Sequence, residues 1–255
     1  VVAVSLKKKT RAVTGIFAVP PSFVREQIDT LFADVRIDAA KIGMVGQAPV
    51  IREVADRIAH WQPPHVVLDP VMIAKSGDAL LEKAAVGAML DALLPCATVL
   101  TPNLPEAGVL LGERAPENLK EMRRAAERLR ERMTHAGARW VVLKGGHLSH
   151  GDAIDLVTDG DRMVELALPR VDTKNTHGTG CTLSAAIAAL LPQSPDVPTA
   201  IRRAAPATGP TAHASGGWRR ACATRRAGSD TTSSPAARRR STARSRLPLR
   251  RSRPH

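Results

Sequence analysis

The sequence predicts an α/β protein: a three-layer α/β/α sandwich with a mostly parallel central sheet and an antiparallel hairpin at one edge. Three observations carry this. Short apolar runs alternate with amphipathic stretches from about Pro20 to Leu190, the β-α-β rhythm of a parallel sheet covered on both faces. Several of the apolar runs end abruptly in Gly or in an X-Pro step, as buried strands do where they leave a sheet. Asp159-Gly160 separates two runs of about equal length, which signals a hairpin.

The elements follow in order. "PPSFVREQIDTLFADV" reads as a helix with Pro at its start, "DAAKIGMVG" as a short strand ending in Gly, and "APVIREVADRIAHW" as a helix. "HVVLDPV" is a buried strand, "ALLEKAAVGAMLDALL" a helix and "ATVLTPN" a strand. "PEAGVLLG" is a short helix, followed by a longer, charged one in "PENLKEMRRAAERLRERMTHAG" with Gly137 as its cap. "RWVVLKGG" is a strand, and "AIDLVTDGDRMVELAL" is the edge hairpin. In the last recognisable helix, Leu183, Ala186, Ile187 and Leu190 recur at three- and four-residue steps. The organised region is expected to be residues 1–191. Residues 192–255 read as a disordered, Arg-rich tail with few large apolar residues and no period.

Charge follows the same division. The 255 residues carry +13 in total, but fourteen arginines and two aspartates lie from Leu191 onward. The tail therefore holds +12 and the first 190 residues +1. A nucleic-acid role is disfavoured beyond non-specific phosphate contact by the tail, which offers one Trp and no Phe or Tyr for stacking. Cys96, Cys181 and Cys222 show no CxxC spacing, against a disulfide scaffold or a structural zinc. A reducing, cytoplasmic setting is expected. No apolar run approaches the ~20 residues that span a bilayer, and Lys7, Lys8 and Lys9 follow the first apolar residues instead of preceding them as in a signal peptide.

Four strand ends carry polar chemistry: Lys41-Ile42-Gly43-Met44, Asp69-Pro70, Thr101-Pro102-Asn103 and Lys144-Gly145-Gly146. Ligands collect at such ends in open α/β sheets. "HGTGC" precedes the last helix and leaves its first turn uncovered, so the amides of Gly178, Thr179, Gly180 and Cys181 are available to an anion, above all a phosphoryl group. A thiol at a helix N-terminus is expected to have a lowered pKa, which would let Cys181 take a proton from a substrate hydroxyl. Residue type alone also allows plainer readings: Asp69 as a turn cap, Glu106 as a carboxylate favoured by a helix dipole, Lys144 as a solvated charge, Met44 as core.

The string "DTKNTHGTGCTLSAAIAA" resembles the signature of the ribokinase-like small-molecule kinases, and among them the hydroxymethylpyrimidine/phosphomethylpyrimidine kinases of thiamine biosynthesis. "VPPSFVREQIDTLFADVRIDAAKIGM", "VVLDPVMIAKSGDALL", "LTPNLPEAGVLLG" and "VVLKGGHL" resemble that family in order and spacing, from about Thr10 to Leu190. The resemblance implies an ATP-dependent kinase that phosphorylates hydroxymethylpyrimidine and then its monophosphate, with pyridoxal kinase as the neighbouring alternative. It implies an anion hole from Gly178 to Cys181, with Cys181 catalytic. It implies Mg²⁺ beside Asp69 and Glu106, a lysine near the transferred phosphate at Lys75, and a nucleotide running past Lys144, Gly145, Gly146 and Thr173. Met44 and Val71 would line the pyrimidine ring. A homodimer is the assembly considered.

Three departures from the family stand out. The chain begins at about the second or third strand of the usual fold, so an N-terminally truncated core with an exposed sheet edge is expected. Lys8 stands where the family has a Gln or Glu that reads the aminopyrimidine, and lysine has no acceptor. The tail replaces helices that flank the nucleotide. A catalytically impaired relative is therefore the non-enzymatic alternative.

Overall fold

The computed structural model describes residues 1–9, 12–72, 81, 83–146, 153–168 and 178–205. The chain divides into two compact units, Val1–Ala223 and Thr224–His255; the second lies outside the described residues.

The first unit opens with an antiparallel pair, β1 (Val4–Lys9) and β2 (Ala12–Ala18), whose register shifts between Lys7 and Lys8. These two strands form their own sheet. After α1 (Pro21–Asp34), the order is β3 (Ala39–Ile42), α2 (Ala48–Trp61), β4 (His65–Leu68), α3 (Lys83–Ala88), β5 (Val99–Leu100), α4 (Leu104–Leu111), α5 (Leu119–Arg132) and β6 (Trp140–Leu143). The hairpin β7 (Ala153–Thr158) and β8 (Met163–Leu168) follows, then α6 (Thr179–Leu190) and α7 (Val197–Ala204).

Six strands form one sheet in the order β3-β4-β5-β6-β7-β8. The first four are parallel; β7 and β8 pair antiparallel at the edge, turning at Gly160 with φ of +100°. This is the expected α/β/α sandwich. β3 is the other outer strand of that sheet.

Strand periodicity assigns the two faces. Val66, Leu68, Leu100, Val141, Leu143 and Leu156 enter one core with residues of α1 to α5. Val67, Val99, Trp140, Val142 and Val157 enter a second core with Leu183, Ile187 and Ala188 of α6 and with Ala200, Ile201 and Ala204 of α7. The boundary expected at residue 191 is therefore corrected. Leu191 is buried, and α7 packs through Val197, Ala200, Ile201 and Ala204, a helical stripe hidden in an Arg- and Pro-rich context. Asp196 caps it, its side chain accepting the Thr199 N–H at 2.7 Å.

Two helix ends also differ from expectation. α5 stops at Arg132 and not at Gly137. Met133 turns extended and is fully buried, and Arg139 donates to its carbonyl at 2.7 Å, so packing draws the chain out of the helix early. The stretch after α3 continues as a wider π turn (Met89–Leu93) and a 3-10 turn (Leu94–Cys96), placing Met89, Leu93 and Leu94 in the core. Arginines of α5 pair outward with other elements, Arg128 with Glu113 and Arg123 with Glu165. No described helix is long and apolar enough to cross a membrane.

Candidate functional site

Three strands end in step. Beyond the last rungs, Asp69 N–H donates to the Ile42 carbonyl, Thr101 N–H to Leu68 and Lys144 N–H to Pro102, each at 2.9 Å. The ladder thus extends one residue past the strands and sets Asp69, Thr101 and Lys144 along one rim. The X-Pro steps Asp69-Pro70 and Thr101-Pro102 then release the chain.

Asp69 is the hub. It is 1% exposed. Lys144 Nζ lies 3.1 Å from its Oδ1, and Thr101 Oγ1 donates to the same oxygen at 3.4 Å. Ser184 Oγ donates to Oδ2 at 3.0 Å, and Lys41 Nζ stands 3.7 Å from Oδ2. Every element that converges here is one that sequence reasoning had placed at a strand end, except Ser184. That hydroxyl sits fully buried on the sheet-facing side of an otherwise apolar helix, a pattern that signals a polar partner below it.

Glu106 comes to the same rim from α4. Asn103 and Glu106 form a capping box: Glu106 N–H donates to Asn103 Oδ1 and Asn103 N–H to Glu106 Oε2, both at 2.8 Å. The Met72 amide also donates to the carboxylate. Burial pushes the Glu106 carboxyl up to about 7, against the pull of the Lys144 charge and the amide donors.

Lys144 and α6 meet directly. A Cβ on Gly180 would come within 3.0 Å of Lys144 Nζ, so glycine leaves room for the ammonium under the first turn of α6. Gly178 is the N-cap at φ +81°, a backbone conformation natural to glycine, and supplies no side-chain cap. A Cβ on Gly178 or Gly146 would meet nothing within 4 Å. Among the described residues, space is left around Gly178 and Gly146, and the N-cap residue offers α6 no side-chain cap. On the floor, Gly145 N–H donates to Asp155 Oδ1 at 2.9 Å, and a Cβ on Gly145 would overlap the Ile154 carbonyl. The glycine is a packing requirement of the β6–β7 contact. Asp155, which sequence reasoning did not single out, is pushed up to about 6 by burial.

Cys181 overturns one expectation. The residue is exposed at the mouth of α6, but its thiol is pushed up in pKa. Burial of the sulfur is the first cause and the Asp69 carboxylate the second; a hydrogen bond to Asp69 also raises it, and Lys41 and Lys144 pull the other way. The helix N-terminus favours thiolate, but a neighbouring carboxylate and desolvation outweigh it.

The structure thus brings together Asp69, Glu106, Lys144, Gly178, Thr179, Gly180 and Cys181. Met44 and Val71 lie just beyond the adjoining ends of β3 and β4, both half-buried. Lys8 is on β1, opposite Val13; its side chain, and Lys75 and Thr173 altogether, lie outside the described residues.

Among the described residues no cluster of three His, Cys, Asp or Glu side chains could hold a metal ion. The donor set fits magnesium only in company with phosphate. Asp69 at the end of β4 and Glu106 in the first turn of α4 supply hard oxygens, and Mg²⁺ is commonly held by one or two carboxylates plus phosphate oxygens. Bound there, it would neutralise charge on the phosphates.

The profile of the family described as phosphomethylpyrimidine kinase matches residues 1–210. The hydroxymethylpyrimidine/phosphomethylpyrimidine kinase of Escherichia coli (strain K12) is 42% identical over 193 residues, covering 76% of this chain and 71% of that protein. The thiamine biosynthesis bifunctional protein ThiED of Geobacter sulfurreducens is 43% identical over 197 residues, 77% of this chain, and the chain spans only 39% of its length. The crystal structure of phosphomethylpyrimidine kinase from Clostridium difficile 630 superposes with a TM-score of 0.69 at 30% identity, covering 80% of this chain and 81% of that one. The pyridoxal kinase of Staphylococcus aureus in complex with AMP-PCP and pyridoxal gives a TM-score of 0.69 at 31% identity, covering 79% and 70%. With its sheet, its glycine-capped helix mouth and the carboxylate–lysine rim beneath it, the chain belongs to the phosphomethylpyrimidine kinase family.

Proposed function

We propose that the chain is an ATP-dependent kinase that phosphorylates 4-amino-5-hydroxymethyl-2-methylpyrimidine and then the resulting monophosphate, in thiamine biosynthesis. The observation that carries this is the glycine at the N-cap of α6, with Lys144 lodged under Gly180 and tied to Asp69. Amides of Gly178, Thr179, Gly180 and Cys181 hold the oxygens of the phosphoryl group in flight, where preorganised donors lower the barrier most. Lys144, Gly145 and Gly146 line the nucleotide's path; the family resemblance adds Thr173 to the nucleotide contacts and Lys75 to those of the transferred phosphate. Asp69 and Glu106 hold magnesium against the phosphates. Met44 and Val71 pack on the pyrimidine ring, and Lys8, where the resemblance puts a Gln or Glu, offers no acceptor for the exocyclic amine.

Cys181 accepts the proton of the hydroxymethyl group. Because the fold opposes thiolate formation, turnover should climb with pH through and beyond the ordinary thiol range of about 8.5. The test is a coupled assay with hydroxymethylpyrimidine, its monophosphate and pyridoxal, on wild type and Cys181→Ala. We expect the first two to be used in preference to pyridoxal. The variant should lose about 100-fold in kcat while ATP binding changes little. Preference for pyridoxal would move the reading to that kinase; unchanged turnover in the variant would remove the role given to the thiol.

A further inference from the structure

Asp69 faces two ammonium groups with one charge. Lys144 satisfies it at 3.1 Å; Lys41 Nζ stands at 3.7 Å, beyond hydrogen-bond reach. Glu106 does not balance the second lysine, because its carboxylate is turned into the capping box of α4 and the Met72 amide. Among the described residues the rim therefore carries a surplus cation. Lys41 is not simply out in water either: its side chain is 23% exposed, and its arm folds back over its own strand end, where a Cβ on Gly43 would lie 2.5 Å from Nζ. A glycine two residues on makes this return possible, just as Gly180 makes room for Lys144.

The two lysines lie on opposite sides of the hub. Lys144 follows β6 and meets the mouth of α6 at Gly180. Lys41 lies in β3, two and three residues before Gly43 and Met44, beside the β4 end that leads to Val71. Its charge also reaches Cys181. A held ammonium at the strand end that leads to Met44, close enough for its charge to act on Cys181, suits an anion on the acceptor.

We propose that Lys41 is the arm that binds the phosphate monoester of an already phosphorylated acceptor, and so distinguishes the second phosphorylation from the first. This rests on the function proposed above. The first acceptor, an uncharged alcohol, gains little from it; the second, a phosphomonoester, gains a charge-assisted contact with a desolvated cation.

Lys41→Gln and Lys41→Arg test this. With Lys41→Gln, kcat/KM should fall for both acceptors, but at least about 10-fold further for the monophosphate than for the alcohol, mainly through KM. Lys41→Arg should recover most of the difference. Both acceptors are measured on one preparation, so a folding defect cancels in the ratio. An equal fall for the two would overturn the inference and leave Lys41 as a mere partner of Asp69, with the kinase reading intact. If wild type phosphorylates neither acceptor, the kinase reading fails on its own. Thermal unfolding with inorganic phosphate then decides: a rise in Tm for wild type that Lys41→Gln lacks supports the anion arm, and equal shifts overturn it.

Discussion

The ends of β4 and β5 lie side by side, leave the sheet through the same kind of X-Pro step, and each delivers one buried carboxylate to the rim. They hold it differently. Asp69 is gripped by side chains that come from elsewhere in the sequence: Lys41, Thr101, Lys144 and Ser184. Glu106 is gripped by backbone, through the amides of Asn103 and Met72, and belongs to the first turn of its own helix. The lesson is that two acids buried on one rim can be held by unlike means. Asp69 is fixed by charges that could be exchanged for those of a substrate; Glu106 is fixed by neutral dipoles that cannot move away.

The sharpest way to break the comparison is to neutralise each carboxylate in turn. Asp69→Asn keeps the shape but leaves two ammonium groups facing an amide. Breaking a buried pair costs about 3–5 kcal/mol; the lower end applies because Lys144 and Lys41 are 16% and 23% exposed. We expect about 3 kcal/mol in chemical denaturation and a loss of turnover of more than about 100-fold. Full turnover with reduced stability would reduce Asp69 to a structural anchor.

Glu106→Gln should differ in kind, since glutamine imitates the neutral form. Folded Glu106 keeps its proton up to about 7, from an ordinary value of 4.5. Between those values the folded chain holds a proton that the unfolded chain has released, so the wild type loses stability as pH rises through this window. Glu106→Gln should match wild type near pH 4.5 and become the more stable of the two by roughly 3 kcal/mol at pH 8, measured without nucleotide or magnesium. Asp155, pushed up to about 6, acts with the same sign in both proteins and cancels. A constant difference across that range would show that Glu106 does not titrate there.

Much of this was legible in one dimension and some was not. The strands announced themselves by apolar runs closed with Gly or Pro, and the hairpin by Asp159-Gly160. Asp69 and Lys144 stand at strand ends that the sequence marks as polar, whereas Glu106 was named through the family resemblance, its position alone being that of a carboxylate favoured by a helix dipole. Lys41 was visible at its strand end, but its pairing with Asp69 was not, because that depends on β3 lying next to β4. Ser184 reaches Asp69 across 115 residues of chain, a distance that no local pattern spans. α7 was hidden because the composition around it is that of a tail, and only the stripe of Val197, Ala200, Ile201 and Ala204 marks it. The Cys181 thiol was misjudged because a helix terminus can be read from sequence, whereas a carboxylate brought beside it by the fold cannot.

The mildest test concerns that one long-range hydroxyl. Ser184 Oγ donates to Asp69 Oδ2 at 3.0 Å, with the Cys181 carbonyl at 3.1 Å as its alternative acceptor. Ser184→Ala removes one donor from Asp69 and leaves Lys144, Thr101 and Lys41 in place. A single net hydrogen bond contributes about 1 kcal/mol, somewhat more when the acceptor is charged. For a folded core of this size that is a fall in Tm of about 2–4 °C. Turnover should drop less than about 10-fold, because the charges that fix Asp69 persist. A loss as large as that of Asp69→Asn would reverse the ranking of the hub's partners: the hydroxyl of α6, and not the two ammonium groups, would then be what joins the helix mouth to the strand ends.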